Sequence, residues 1–150
     1  MRSLEMNIET KYFGNMSVDE EKGIRFTKGL PGFQEEKMFV LIDFPDNPLF
    51  QILQSTVTAH VAFVVASPYH FREEYSFNLG EQTKEELAIT SPNQVKVLSI
   101  LTLRKPFEKS TINLQAPIVI NVDALKGQQV ILTDDFSART PLQTEKARAK

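Results

Sequence analysis

Pro117, followed by Ile118-Val119-Ile120, constrains the fold of this 150-residue chain more than any other feature. A proline supplies no amide hydrogen, so within a sheet it belongs at the first residue of a strand or on an edge. The β-branched run behind it continues that strand. Upstream, Gly29-Leu30-Pro31-Gly32-Phe33 sets two glycines and a proline within four positions, the composition of a tight turn between apolar segments. Period-2 alternation recurs in Ile8 to Tyr12 and Ile24 to Phe26. Strand-length apolar runs follow at Met38 to Ile42, Leu49 to Leu53, Val61 to Val65 and Val95 to Leu103, then Thr111 to Leu114, Ile118 to Val122 and Gln129 to Leu132. Many short strands with turn signals between them predict an all-β fold: a small single-domain barrel or sandwich of short antiparallel strands, with at most one short helix. Thr83 with Glu86 has capping-box spacing and marks that helix; Tyr75-Ser76-Phe77 is a candidate short strand, and Asn15 to Gly23 reads as a loop. In Val95 to Leu103 the odd-numbered residues are expected to share one face, and the uninterrupted run Val61 to Val65 predicts a strand covered on both faces.

The length fits one folding unit, and the eleven Phe are its main large core candidates. No apolar run approaches the roughly 18 residues that cross a bilayer. The first residues lack the apolar stretch of a secretory signal, so a soluble, cytoplasmic protein is expected. The chain has no Cys, which excludes disulfides and thiol chemistry. Net charge is −2, but residues 139–150 carry +3 (Arg139, Lys146, Arg148 and Lys150 against Glu145), and removing that +3 leaves −5 on residues 1–138. The carboxylates come in adjacent groups: Asp19-Glu20-Glu21, Glu35-Glu36, Glu73-Glu74, Glu85-Glu86 and Asp134-Asp135. An acidic body repels phosphate and attracts basic proteins.

Catalytic, cofactor-binding and metal-binding residues are not expected. His60 and His70 stand ten residues apart, which is no metal motif, and Ser55 lacks the glycine pattern of a nucleophile elbow. Adjacent carboxylates on a strand point to opposite faces, so they form no acid-base pair. Gly29 to Gly32 lacks the Lys-Ser/Thr ending of a phosphate loop, and Pro31 removes an amide donor. Aromatics beside basic residues, Phe26 with Lys28 and Phe71 with Arg72, leave open a direct RNA-binding barrel. A small-ligand-binding barrel is also open, because strand patterns do not reveal whether the interior is filled.

Together with Phe26, Phe50 to Ser55, Ala62 to Val65, Pro68-Tyr69, Asn113-Leu114-Gln115-Ala116 and Gln129 to Leu132, the Gly-Leu-Pro-Gly-Phe turn and the Pro117 strand resemble the FliW family of flagellar assembly factors. The likeness runs from Met6 to about Phe136, implying a barrel domain over 6–136 and a polar, basic tail over 137–150; residues 1–5 fall outside it. The resemblance implies a non-enzymatic, cytoplasmic protein that switches partners. It would bind CsrA, a dimeric RNA-binding repressor of flagellin translation, and block its RNA binding allosterically, with flagellin as the competing partner. It would carry no cofactor and make no direct contact with nucleic acid or membrane. Asp134, Asp135, Phe136 and Arg139, charged and aromatic residues beside the last expected strand, are the candidate CsrA contact. Phe33, Phe44, Phe50 and Tyr69 are the candidate apolar surface for flagellin's amphipathic ends. No heptad or surplus apolar stripe asks for a self-partner, so a monomer is expected.

Overall fold

The computed structural model describes residues 5–142. In chain order its elements are β1 (Glu5–Thr10), β2 (Gly14–Asp19), β3 (Ile24–Arg25), β4 (Met38–Asp43), β5 (Phe50–Ser55), β6 (Ala62–Ala66), α1 (Pro68–Phe71), α2 (Glu81–Glu86), β7 (Val95–Thr102), β8 (Thr111–Ile112), β9 (Ile118–Asn121), β10 (Lys126–Gln129) and β11 (Thr140–Pro141). The strands β7, β6, β5, β4, β3, β10 and β9 pair in that order, and β9 pairs back onto β7, so they close into a ring. Every pairing in the ring is antiparallel except β3 with β10. Closure leaves the ring without the two free edges of an open sheet.

The register decides what fills the ring. Ile24 faces Phe39, Leu98 faces Ile118, and Ile120 faces Gly127. With Leu53, Val65, Phe26, Leu30 and Val61, these apolar side chains form one buried cluster drawn from β3, β4, β5, β6, β7 and β9, which places it inside the ring. The phenyl of Phe26 occupies the space over Gly127, where an added Cβ would lie 2.5 Å from its ring. The interior is therefore packed with side chains.

The outward residues of β4 to β7 (Val40, Ile42, Ile52, Val64, Ala66 and Leu101) are buried as well. They are covered by Ile8 of β1 and by Tyr75, Ile112, Leu114, Leu132 and Leu142, with Met6, Met16 and Val18 of the β1–β2 hairpin packed alongside. Burial on both faces is why β4 and β6 read as nearly continuous apolar runs. It also gives both faces of β7 apolar work: Leu98 and Ile100 pack toward the interior cluster while Leu101 joins the outer one.

Several sequence expectations are corrected. Residues 15–19 of the expected Asn15–Gly23 loop belong instead to β2; Gly14 adopts φ +66° and closes a three-residue hairpin turn after Thr10. Tyr12 consequently lies in the turn instead of a strand. Among the described residues there are two short α-helices where at most one was expected, because Pro68 starts a single turn, α1. Helix α2 begins after Gly80, so Thr83 is an interior residue and not a cap. Residues 75–77 form no strand. Strand β10 begins at Lys126, three residues before the expected Gln129, because the chain reverses at once after β9 through a bond from Leu125 N–H to Asn121 C=O (2.8 Å). The body also continues past residue 136: β11 pairs with β8 and Leu142 is buried. A basic tail therefore starts no earlier than residue 143, outside the described residues.

Candidate partner-binding surface

The Gly-Leu-Pro-Gly-Phe segment folds as its composition dictates. Leu30 and Phe33 exchange backbone bonds, N–H of Phe33 to C=O of Leu30 at 2.7 Å and the reverse at 3.3 Å, with Pro31 and Gly32 (φ +85°) at the corner. That is a type II turn, which places proline second and glycine third. Leu30 plugs the interior cluster, while Phe33 is 38% exposed and stands edge-on to Phe63 at 5.6 Å.

The asparagines flanking the Pro117 strand also do backbone work. Asn113 Oδ1 accepts from the N–H groups of Gln115 and Ala116, turning the chain into Pro117. Asn121 is fully buried: its Nδ2 donates to the carbonyls of Leu87 and Ala88, and its Oδ1 accepts from the amides of Asp123 and Ala124. It ties the end of α2 to the barrel.

A row of aromatic rings runs across the outer face. Tyr75 is buried and donates its hydroxyl to Leu114 C=O at 2.6 Å. Its ring meets Tyr69 at 5.8 Å, Phe77 at 5.5 Å and Phe136 at 4.9 Å. Burial, and secondarily the phenol of Tyr69 and the carboxylate of Asp134, push the Tyr75 phenol well above its ordinary range; burial also raises Tyr69. On one side of this row lies a groove of about 510 Å³ lined by Tyr69, Phe77, Leu79, Ile89, Val95 and Val97, with Lys84 among its polar neighbours. Exposed Glu73 and Glu74 immediately precede Tyr75 in sequence, and exposed Asp134 and Asp135 immediately precede Phe136. The Tyr75–Phe136 contact thus joins two segments some sixty residues apart in sequence, each carrying an exposed acidic pair.

Of the candidate CsrA contact, Asp134, Asp135 and Arg139 are exposed, whereas Phe136 is half-buried against Tyr75 and serves to anchor the segment. These residues lie beyond β10 in an irregular stretch, held by Leu114 N–H to Ser137 C=O (3.1 Å) and Arg139 N–H to Ser137 Oγ (3.0 Å). The candidate flagellin residues do not come together in one place. Phe44 and Phe50 pack edge-on at 6.4 Å, but Phe50 is buried in the outer cluster. Phe33 belongs with Phe63, and Tyr69, 40% exposed, borders the groove. The sequence singles out Glu73-Glu74 as a charge pair but gives no sign that its segment packs against the one carrying Asp134-Asp135, a junction made by the Tyr75–Phe136 contact. The groove residues Leu79, Ile89, Val95 and Val97 carry no local signal beyond being apolar.

Among the described residues no helix is long and apolar enough to cross a membrane, and no group of three or more His, Cys, Asp or Glu side chains could hold a metal ion.

Comparison with known proteins gives this architecture its context. The family model for the FliW protein matches residues 7–142. The flagellar assembly factor FliW of Oceanobacillus iheyensis is 45% identical over 140 residues, covering 93% of this chain and 95% of its own. Its namesake in Bacillus subtilis is 43% identical over 141 residues, 93% of this chain and 99% of that one. A crystal structure of the flagellar assembly factor FliW superposes with a TM-score of 0.89 at 42% identity, covering 94% of this chain and 99% of its own. This chain, with its packed barrel, its type II turn and its Pro117 strand, belongs to the FliW family.

Proposed function

We propose that this flagellar assembly factor works by exchanging two protein partners in the cytoplasm, without catalysing a reaction. In this reading it binds CsrA and prevents that repressor from holding the flagellin message, and flagellin accumulating in the cell takes it away again. The observation that carries the reading is the Tyr75–Phe136 contact, which joins the two segments bearing the exposed pairs Glu73-Glu74 and Asp134-Asp135. A protein that binds RNA must present uncompensated basic surface, and a cluster of exposed carboxylates is complementary to it. Docked beside the RNA path, the same charges raise the cost of bringing phosphates near without overlapping the RNA site, which is an allosteric form of antagonism. Direct RNA binding is disfavoured by the same acidic surface.

Asp134, Asp135 and Arg139 are the residues assigned to CsrA, with Phe136 holding their segment in place. For flagellin, the exposed members of the aromatic set are Phe33 and Tyr69; Phe44 is half-buried against the outer cluster, edge-on to buried Phe50. The test is direct binding of purified CsrA and purified flagellin, each alone and then in competition. Asp134→Lys/Asp135→Lys is expected to weaken CsrA binding at least tenfold and to flatten its salt dependence. Affinity and salt dependence equal to wild type would remove the assignment.

A further inference from the structure

The groove beside Tyr69 departs from the acidic character of the body around it. Residues 1–138 carry −5, yet the lining of the groove holds no Asp or Glu and one charged residue, Lys84 of α2. The described carboxylate partner of that ammonium is Glu81, three residues earlier on the same helix, at 3.4 Å and with a side chain 85% exposed. So long and so solvated an ion pair is weak and readily gives way to another anion. The polar groups near Lys84 are divided between engaged and available. The hydroxyls of Thr90 and Ser91 donate to the side-chain oxygens of Gln94 and Asn93, whereas the carboxamide of Asn78 makes no hydrogen bond with another described residue.

The apolar part of the lining stands directly beside the cation. Ile89 N–H donates to Lys84 C=O at 2.9 Å, which sets the end of α2 against the wall that Ile89 forms. Leu79, Ile89, Val95 and Val97 are half-buried and belong to neither core cluster, so the packing of the protein leaves part of their surface unused. Mostly apolar walls with a few polar groups are the composition of a small-molecule site, and about 510 Å³ falls within the ~300–1,000 Å³ such sites span.

We propose that this groove is a binding site for a small organic anion, a molecule with an apolar body and one carboxylate or similar head. The body lies against Leu79, Ile89 and Val97, and the head meets the Lys84 ammonium in a charge-assisted hydrogen bond, with the Asn78 carboxamide as a second donor. A cation with no acid in the surrounding lining selects a negative head over a neutral or positive one. The inference stands apart from partner exchange, and its failure leaves that reading untouched.

The experiment titrates the protein with octanoate and, separately, with 1-octanol, which keeps the apolar body and lacks the charge. Binding is followed through the backbone amide resonances of wild type, Lys84→Gln and the groove-filling variant Ile89→Trp, with a thermal melt of each. Octanoate is expected to give saturable shifts in residues 77–79, 89–91 and 95–97 of wild type. Lys84→Gln should bind octanoate about tenfold more weakly, the loss of one hydrogen bond to a charged group, and 1-octanol as wild type does. Ile89→Trp should lose both ligands. The Lys84 side chain is 43% exposed, so Lys84→Gln remains informative even where Ile89→Trp fails to fold. Shifts that do not saturate, or that fall outside the groove, overturn the site. Equal octanoate affinity in wild type and Lys84→Gln overturns the assignment of an anion to it.

Discussion

The residues that identify this chain act on its backbone and packing. Asn121 satisfies two carbonyls and two amides from a fully buried position, and a buried group left without its partner costs about 1–3 kcal/mol. Gly127 leaves room for a ring: an added Cβ would stand 2.5 to 3.0 Å from three atoms of Phe26. Gly127→Ala is therefore predicted to destabilise the fold by about 1–3 kcal/mol through overpacking. Combining it with Phe26→Leu should cost less than the sum of the two single changes in urea unfolding, because the smaller side chain vacates the contested space; strict additivity would contradict the contact. Tyr75 makes a prediction about pH. Its proton is held more tightly in the folded protein than in the unfolded chain, because burial opposes the phenolate. The unfolded chain therefore loses protons first, and the stability this contributes is complete below the ordinary tyrosine range and declines as pH rises above about 10. Urea unfolding between pH 8.5 and 11 should show that decline, and Tyr75→Phe should reduce it; an equal decline in both proteins would assign the effect to other groups.

At the level of elements, legibility followed burial and chain reversal. Strands β4 and β6 are readable because their residues are apolar on faces that are both covered, and β7 because its length and β-branched residues mark it although Val95 and Val97 line the groove. Strand β2 was not, because Gly14-Asn15-Met16-Ser17-Val18-Asp19 has little β-propensity and only Met16 and Val18 pack against the outer cluster. Its pairing comes from Gly14, whose positive φ turns the chain back onto β1. Strand β10 starts three residues before the apolar run Gln129 to Leu132 because nothing local in Asp123 to Lys126 advertises the reversal after Asn121. The β1–β2 hairpin forms a two-stranded sheet of its own, and beyond its packing it is held by buried Gln54, whose Oε1 accepts from Lys11 N–H and whose Nε2 donates to Ala59 C=O. Gln54→Ala is predicted to speed amide exchange in residues 5–19 while exchange in β9 changes little. A uniform acceleration across all strands would show that Gln54 supports the whole barrel instead.

Across the whole molecule, a closed and filled ring presents its partners with outer surface only. The acidic excess of the body was legible as a sum over the sequence. That two of its acidic pairs sit on segments packed together was not, because this depends on Tyr75 meeting Phe136 across sixty residues of chain. The same holds for the groove, whose lining residues 69, 77–79, 84, 89–92, 95 and 97 come together only in the fold. The central claim, that this surface serves partner exchange, is tested most directly by an RNA-release titration. A preformed complex of CsrA with flagellin leader RNA is titrated with this protein, and flagellin is added at the end. The account predicts release of the RNA as this protein is added and recovery of the complex when flagellin follows. RNA that stays bound throughout the titration would contradict it.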